Sequence, residues 1–205
     1  MKKITFLSII LLFFFVMELD AQKQTKVLIH TDMGDFTVEL YNDTPQHRDN
    51  FIKLANEGFF NGSIFHRVIS GFMIQGGGAP AGKPEKGYLI PAEILPNHIH
   101  KKGALAAART ENPKKESSGS QFYIVQGQVF TDAQLAQFEA QRGIKLSEEQ
   151  KKVYTTIGGT PHLDGGYTVF GEVVSGLDVI DKIASAKTGP GDRPLQEIKM
   201  TVKVL

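Results

Sequence analysis

The 205-residue chain contains no cysteine. Disulfides, thiol catalysis, Cys-based zinc sites and lipid attachment at an N-terminal cysteine are therefore excluded. An oxidising compartment is compatible with this, because a chain without thiols cannot mispair. An excess of either charge is also missing: 23 Lys and Arg face 22 Asp and Glu, for a formal net charge of +1. Nothing in that balance marks a nucleic-acid binder or a membrane-surface protein. The glycine-rich "QGGGAPAGKPEKG" (75–87) lacks both G-x-x-x-x-G-K-[ST] and G-x-G-x-x-G, and Pro80 and Pro84 interrupt it. It therefore offers no helix N-terminus to a phosphate. No G-x-S-x-G elbow is present, and the serines of "SSGSQ" (117–121) read as a loop entering a strand. His98 and His100 form H-x-H and could share one face of a strand, but no third ligand stands near them in sequence. They read as surface or core histidines, and no metal is expected. Asn42-Asp-Thr and Asn61-Gly-Ser fit the glycosylation pattern, which is too short to carry weight.

What is present is an ordinary globular composition, 41% hydrophobic and 22% charged, suited to one domain of moderate size. The N-terminus stands apart. Lys2 and Lys3 precede an apolar run from Ile4 to Met17, and a short polar piece ends at Ala21. This pattern reads as a signal peptide over residues 1–21, with an uncleaved anchor as the rival reading. The run is shorter than the roughly 20 residues a spanning helix needs, and no later segment is longer. The mature chain, 22–205, is expected to be exported, periplasmic or secreted, with no membrane segment.

Val27 and Ile29, then Phe36, Val38 and Leu40, alternate on either side of Met33-Gly34-Asp35, which predicts a β-hairpin turning at those three residues. A helix follows over 44–58, with Thr44 as cap, Pro45 at the first position, Phe51, Ile52, Leu54 and Ala55 on the apolar face, and Gly58 as stop. Strand-like runs occupy 64–69, 72–75, 103–108, 121–126, 167–174 and 197–204. Many short strands with few helices argue for a barrel or a sandwich. A second helix is predicted over 176–186, with Val179, Ile180 and Ile183 on one face. Between the strands, about 128–160, lies a helical hairpin. Thr131 with Gln134 and Ser147 with Gln150 have capping-box spacing, and Gly143 and Gly158 are natural stops. Its few apolar residues (Leu135, Phe138, Ile144, Leu146, Val153 and Tyr154) suit an appendage folded back on the main body.

The stretch "FHRVISGFMIQGG" (65–77) resembles the signature of the cyclophilin-type peptidyl-prolyl cis–trans isomerases. "TPQHRDNFIKLANEGFFNGSIFHRVI", "GALAAART", "SSGSQFYIV" and "HLDGGYTVFGEVVSGLDVID" resemble further blocks of that family in the same order. The resemblance covers the chain from about Val27 onward, except the insert. It implies a mainly β fold: an eight-stranded antiparallel β-barrel capped by two helices, with the hairpin inserted. It also implies rotation about X–Pro bonds without a cofactor, in unfolded or proline-containing polypeptides, by a monomer that assists folding of exported proteins. A rival reading is a proline-segment or client-binding chaperone module in which isomerisation is incidental.

By the same resemblance Arg67 is the catalytic donor, and Gln75 steadies it. Phe72, Met73, Tyr123 and Leu163 form the pocket for the proline ring. Ala108, Arg109, Thr110 and Gln121 line the substrate groove. His162 and Tyr167 stand where many eukaryotic members carry Trp and His, so weak cyclosporin binding is implied. The insert falls between two pocket-lining blocks and is expected to border the groove. The glycines after Gln75 read as the turn that ends the strand.

Overall fold

The computed structural model describes residues 24–205. The segment 1–21, expected to be a signal peptide, and the expected start of the mature chain at Gln22 lie outside the described residues. Eight strands close into an antiparallel barrel. In chain order they are β1 (Thr25–Thr31), β2 (Gly34–Leu40), β3 (Ser63–Ile69), β4 (Met73–Gly77), β6 (Ala104–Ala107), β8 (Gln121–Val125), β9 (Val169–Ser175) and β10 (Lys199–Val204). The order around the barrel is β1-β10-β3-β4-β8-β6-β9-β2. Two-residue strands β5 (Leu89–Ile90) and β7 (Ser117–Ser118), absent from the sequence reading, pair with each other beside it. The barrel follows from the alternation: Val27, Ile29, Phe36, Val38 and Leu40 are all buried on the inner face. Phe51, Phe60, Phe65, Phe122 and Phe170 fill the centre, with Phe51 edge-on to Phe122 at 5.4 Å between ring centres. Helices α1 (Pro45–Asn56) and α4 (Leu177–Ala184) bury Phe51, Leu54 and Ala55, and Val179, Ile180 and Ile183, in that same core.

Three local expectations are corrected. The hairpin turns at Asp32-Met33, one step earlier than the Met33–Asp35 turn, because Thr31 pairs with Gly34. Thr31 Oγ1 accepts from Met33 N–H (3.1 Å) and donates to the Gly34 carbonyl (2.8 Å), which closes the loop tightly. Thr44 precedes α1 but makes no side-chain cap. The Glu93 carboxylate does that work instead, accepting from the backbone N–H of Gln46 and of His47, each at 3.0 Å, and bonding His47 Nδ1 at 2.6 Å. A distant carboxylate thus satisfies two orphan donors and meets the positive end of the helix dipole.

The third correction concerns the glycines. Strand β4 continues through Gly76 and Gly77, and only Gly78 follows it. A Cβ on Gly76 would stand 2.8 Å from both Met200 Cε and Phe65 Cδ1. Gly77 has φ +80°, and its Cβ would stand 2.4 Å from the Ser120 carbonyl oxygen. Close approach of neighbouring strands therefore demands these residues, more than any turn does.

The insert folds as predicted into α2 (Asp132–Arg142) and α3 (Glu148–Thr156), each opened by a complete capping box. Gly143 ends α2 in the left-handed conformation. Leu135, Leu146 and Tyr154 form its small core, joined by Phe130, Phe138 and, from the main body, Ile99. Ile144 is left exposed. Backbone bonds from Lys102 N–H to the Gly158 carbonyl (2.9 Å) and from Thr160 N–H to the His100 carbonyl (2.8 Å) fasten the hairpin's base to the barrel.

Candidate active site

The period of two that fills the barrel also builds its outer face. On β8, Phe122 and Ile124 point inward, while Tyr123 and Val125 point out. On β6, Leu105 and Ala107 belong to the barrel core, while Ala104 and Ala106, with Ala108 just beyond, lie outside it. On β4, Ile74 is inside and Met73 outside. The outer residues form a second apolar cluster, completed by Phe72, Leu163 and Tyr167. The small side chains of β6 leave a hollow between larger ones.

One cavity on this face is lined by Arg67, Phe72, Met73, Gln75, Ala108, Arg109, Tyr123, Leu163 and Tyr167. Nine of the twelve residues singled out from sequence thus meet around one pocket. Arg67 reaches it through a β-bulge. Phe65 pairs with Gly76 and Arg67 with Gln75, so His66 is the extra residue of β3. The bulge keeps both Phe65 and Val68 in the core and turns Arg67 to the lip.

The other three residues stand at the margins. His162 packs its ring 5.4 Å from that of Phe72. Burial holds its pKa below the usual imidazole value, helped by the Arg142 guanidinium. Arg142, the last residue of α2, stands near enough to His162 to act on it electrostatically. Gln121 accepts from Gln75 Nε2 at 3.4 Å and lines an adjoining groove with Gly77, Gly78, Glu85 and Arg193. Thr110 contributes its carbonyl, which accepts from Arg109 Nη1 at 3.4 Å and Asn112 Nδ2 at 3.0 Å.

Arg109 is fixed as a wall. Its Nε donates to the Gly166 carbonyl (3.0 Å), and its guanidinium lies 4.6 Å from the centre of the Tyr167 ring. Tyr167 meets Tyr123 edge to face at 5.8 Å. Arg67 is held by a residue that sequence reasoning missed: its Nε donates to Asp192 Oδ2 at 3.2 Å. Asp192 follows Gly191 in a tight turn, both at positive φ, and only the "GPGD" turn signal hinted at it.

The two histidines of H-x-H part company rather than sharing a strand face. His98 stacks on Tyr41 at 4.1 Å and bonds Asp43 at 2.7 Å. His100 is fully buried between Asp164 and the Tyr123 hydroxyl.

The pocket's chemistry is narrow. Its only charged lining groups are the guanidiniums of Arg67 and Arg109, both permanent cations. Burial pushes the Tyr123 phenol well above its ordinary value, aided by the nearby Tyr167 and Asp164, so it stays a neutral hydroxyl. No lining carboxylate, histidine or serine is available to abstract a proton or attack a carbonyl. What remains is an apolar floor sized by Ala108 and Met73, aromatic walls, and one guanidinium at the lip. Such a site can grip a small ring and place a hydrogen-bond donor beside it.

A closed antiparallel barrel thus carries this pocket on its outer face. The family model for cyclophilin-type peptidyl-prolyl cis-trans isomerases matches residues 26–204. A Staphylococcus saprophyticus protein, provisionally named a peptidyl-prolyl cis-trans isomerase, is 39% identical over 181 residues, covering 85% of this chain and 88% of its own length. A Staphylococcus aureus protein of the same provisional name is 37% identical over 182 residues, covering 86% and 89%. The crystal structure of a Cryptosporidium parvum cyclophilin-type peptidyl-prolyl cis-trans isomerase superposes with a TM-score of 0.68 at 25% identity, covering 89% of this chain and 98% of its own. The chain belongs to the cyclophilin-type peptidyl-prolyl cis–trans isomerase family. It is a peptidyl-prolyl cis–trans isomerase.

Proposed function

We propose that this isomerase works by stabilising the twisted amide through Arg67, and that it does so for proteins exported with it. Rotation about a peptide bond costs about 18–20 kcal/mol because amide resonance is lost midway. At that point the prolyl nitrogen becomes pyramidal and regains a lone pair. A donor aimed at that nitrogen binds the twisted state better than either planar state, so it lowers the barrier without making or breaking a bond. The observation that carries this reading is the position of Arg67 at the lip of an apolar pocket that has no nucleophile or base among its lining residues. Phe72, Met73, Tyr123 and Leu163 take the proline ring, Arg109 and Tyr167 form one wall, and Gln75 with Gln121 faces the peptide backbone. Asp192, bonding Nε, leaves the two terminal nitrogens of Arg67 free to face the substrate.

The test is Arg67→Ala. The Arg67–Asp192 pair is exposed, with side chains 43% and 45% accessible, so its loss costs less than about 1 kcal/mol of stability. The rate of X–Pro isomerisation, followed on a tetrapeptide and in proline-limited refolding, drops about 100- to 1000-fold, the range for removing one transition-state donor. Equal rates for variant and parent would sink the mechanism. Export rests on Lys2, Lys3 and the apolar run from Ile4 to Met17. N-terminal sequencing of fractionated native protein should find a chain beginning near Gln22 outside the cytoplasm. A cytoplasmic chain with Met1 intact would refute the export role.

A further inference from the structure

The helical insert is tied to the proline pocket by a buried polar chain. Tyr154, on α3, donates its hydroxyl to Asp164 Oδ2 at 2.5 Å. Asp164 Oδ1 accepts from both the backbone N–H of His100 (2.8 Å) and its Nδ1 (2.9 Å). His100 Nε2 lies 2.9 Å from the Tyr123 hydroxyl. Tyr154 and His100 are fully buried, and Tyr123 is 5% exposed. A carboxylate can only accept, so Nδ1 carries the proton, and in the neutral ring the other nitrogen receives the Tyr123 O–H. Every bond in the row thus has one donor and one acceptor. Burying such a row is costly unless each member is satisfied, and this one is satisfied only with the insert in place.

The row ends on pocket walls. Tyr123 is one of them, and Asp164 directly follows Leu163, another. Tyr123 also touches Tyr167, whose ring lies under Arg109. We propose that Tyr154, Asp164 and His100 are positioning residues of the isomerase, through which the inserted hairpin sets the orientation of Tyr123 and so the shape of the proline pocket. This rests on the reading of that cavity as the proline site. The insert is then part of the catalytic domain's working structure and not a separate client-binding arm.

A double-mutant cycle on the full-length mature protein tests this. Tyr154→Phe keeps the ring and removes only the hydroxyl, leaving Asp164 short of a donor. With Tyr123 present, kcat/KM for a proline tetrapeptide falls about fivefold, the size expected for one buried hydrogen bond. In a Tyr123→Phe background, where the row no longer reaches the pocket, Tyr154→Phe changes kcat/KM by less than about twofold. A purely structural role for Tyr154 would lower the melting temperature but leave kcat/KM of the folded protein uncoupled to Tyr123. An unchanged kcat/KM in Tyr154→Phe, or the same loss in both backgrounds, overturns the proposal. Should Tyr154→Phe not fold at the assay temperature, Asp164→Asn in the same two backgrounds reads the same coupling. Arg67→Ala separates the levels. If it is inactive while the cycle shows no coupling, only this inference falls. If it is fully active, the reading of the pocket falls with it.

Discussion

Removing Glu93 should unfasten α1 without touching the pocket. Its carboxylate bonds two backbone N–H groups at the start of α1 and the ring of His47, and the side chains of His47 and Glu93 are only 2% and 10% exposed. In Glu93→Ala the helix loses a cap worth about 1 kcal/mol. The His47 Nδ1 is left buried without a partner, at about 1–3 kcal/mol. The sum is about 2–4 kcal/mol. For a domain of this size each kcal/mol lowers Tm by about 2–4 °C, so a drop of about 5–15 °C is expected in a thermal melt at pH 7. Two comparisons sharpen it. Thr44→Val, an isosteric change at the residue that the sequence offers as cap, should move Tm by less than about 2 °C, because Thr44 Oγ1 makes only a 3.4 Å contact with the Tyr41 carbonyl. Below its melting transition, Glu93→Ala should keep kcat/KM within about twofold of the parent. A Tm shift under about 2 °C in Glu93→Ala, or a large shift in Thr44→Val, would refute the assignment of the cap.

Two further perturbations follow from the same packing. Gly77→Ala puts a methyl 2.4 Å from the Ser120 carbonyl oxygen at a φ of +80°, so strain and overpacking together should cost about 2–5 kcal/mol, read as a lower midpoint in urea. A midpoint within error of the parent would show that β4 and β8 can part without cost. Acid should also destabilise the fold. Burial holds the pKa values of His47, His66 and His162 below the usual imidazole value. The unfolded chain then binds more protons than the native one once pH falls below about 6.5, so stability drops as the solution is acidified through that value and on past the lower native pKa values. Melting curves between pH 8 and 5 should show a falling Tm below about 6.5, and a flat or rising Tm there would contradict the burial of these rings.

The resemblance to a family named the residues of the pocket wall, and nothing in the sequence named their supports. The outward placement of Met73, Gln75 and Tyr123 agrees with local alternation: once the inner face is filled by Ile74, Phe122 and Ile124, the neighbours face outward. The same local grammar gave the capping boxes at Thr131 and Ser147. Orientation is different. Arg67 meets Asp192 125 residues away, His100 meets Asp164 64 away, and α1 finds its cap 46 or 47 residues downstream. No periodicity selects such partners, since any of many acids could serve until the barrel closes. The bulge at His66 is equally silent, because "FHRVI" permits both an even alternation and the observed skip. What decides it is the demand of the core for Phe65 and Val68 together, and that demand exists only once β4 and β10 are alongside β3. The resemblance to a family could therefore name Arg67, while the long-range contacts of this chain decide where its guanidinium points. That division also explains why the insert read as an appendage. Its own core is small, and Tyr154, the side chain proposed to link it to the pocket, looks from sequence like another apolar residue of a helix face, its hydroxyl committed to an aspartate that only the folded barrel brings within reach.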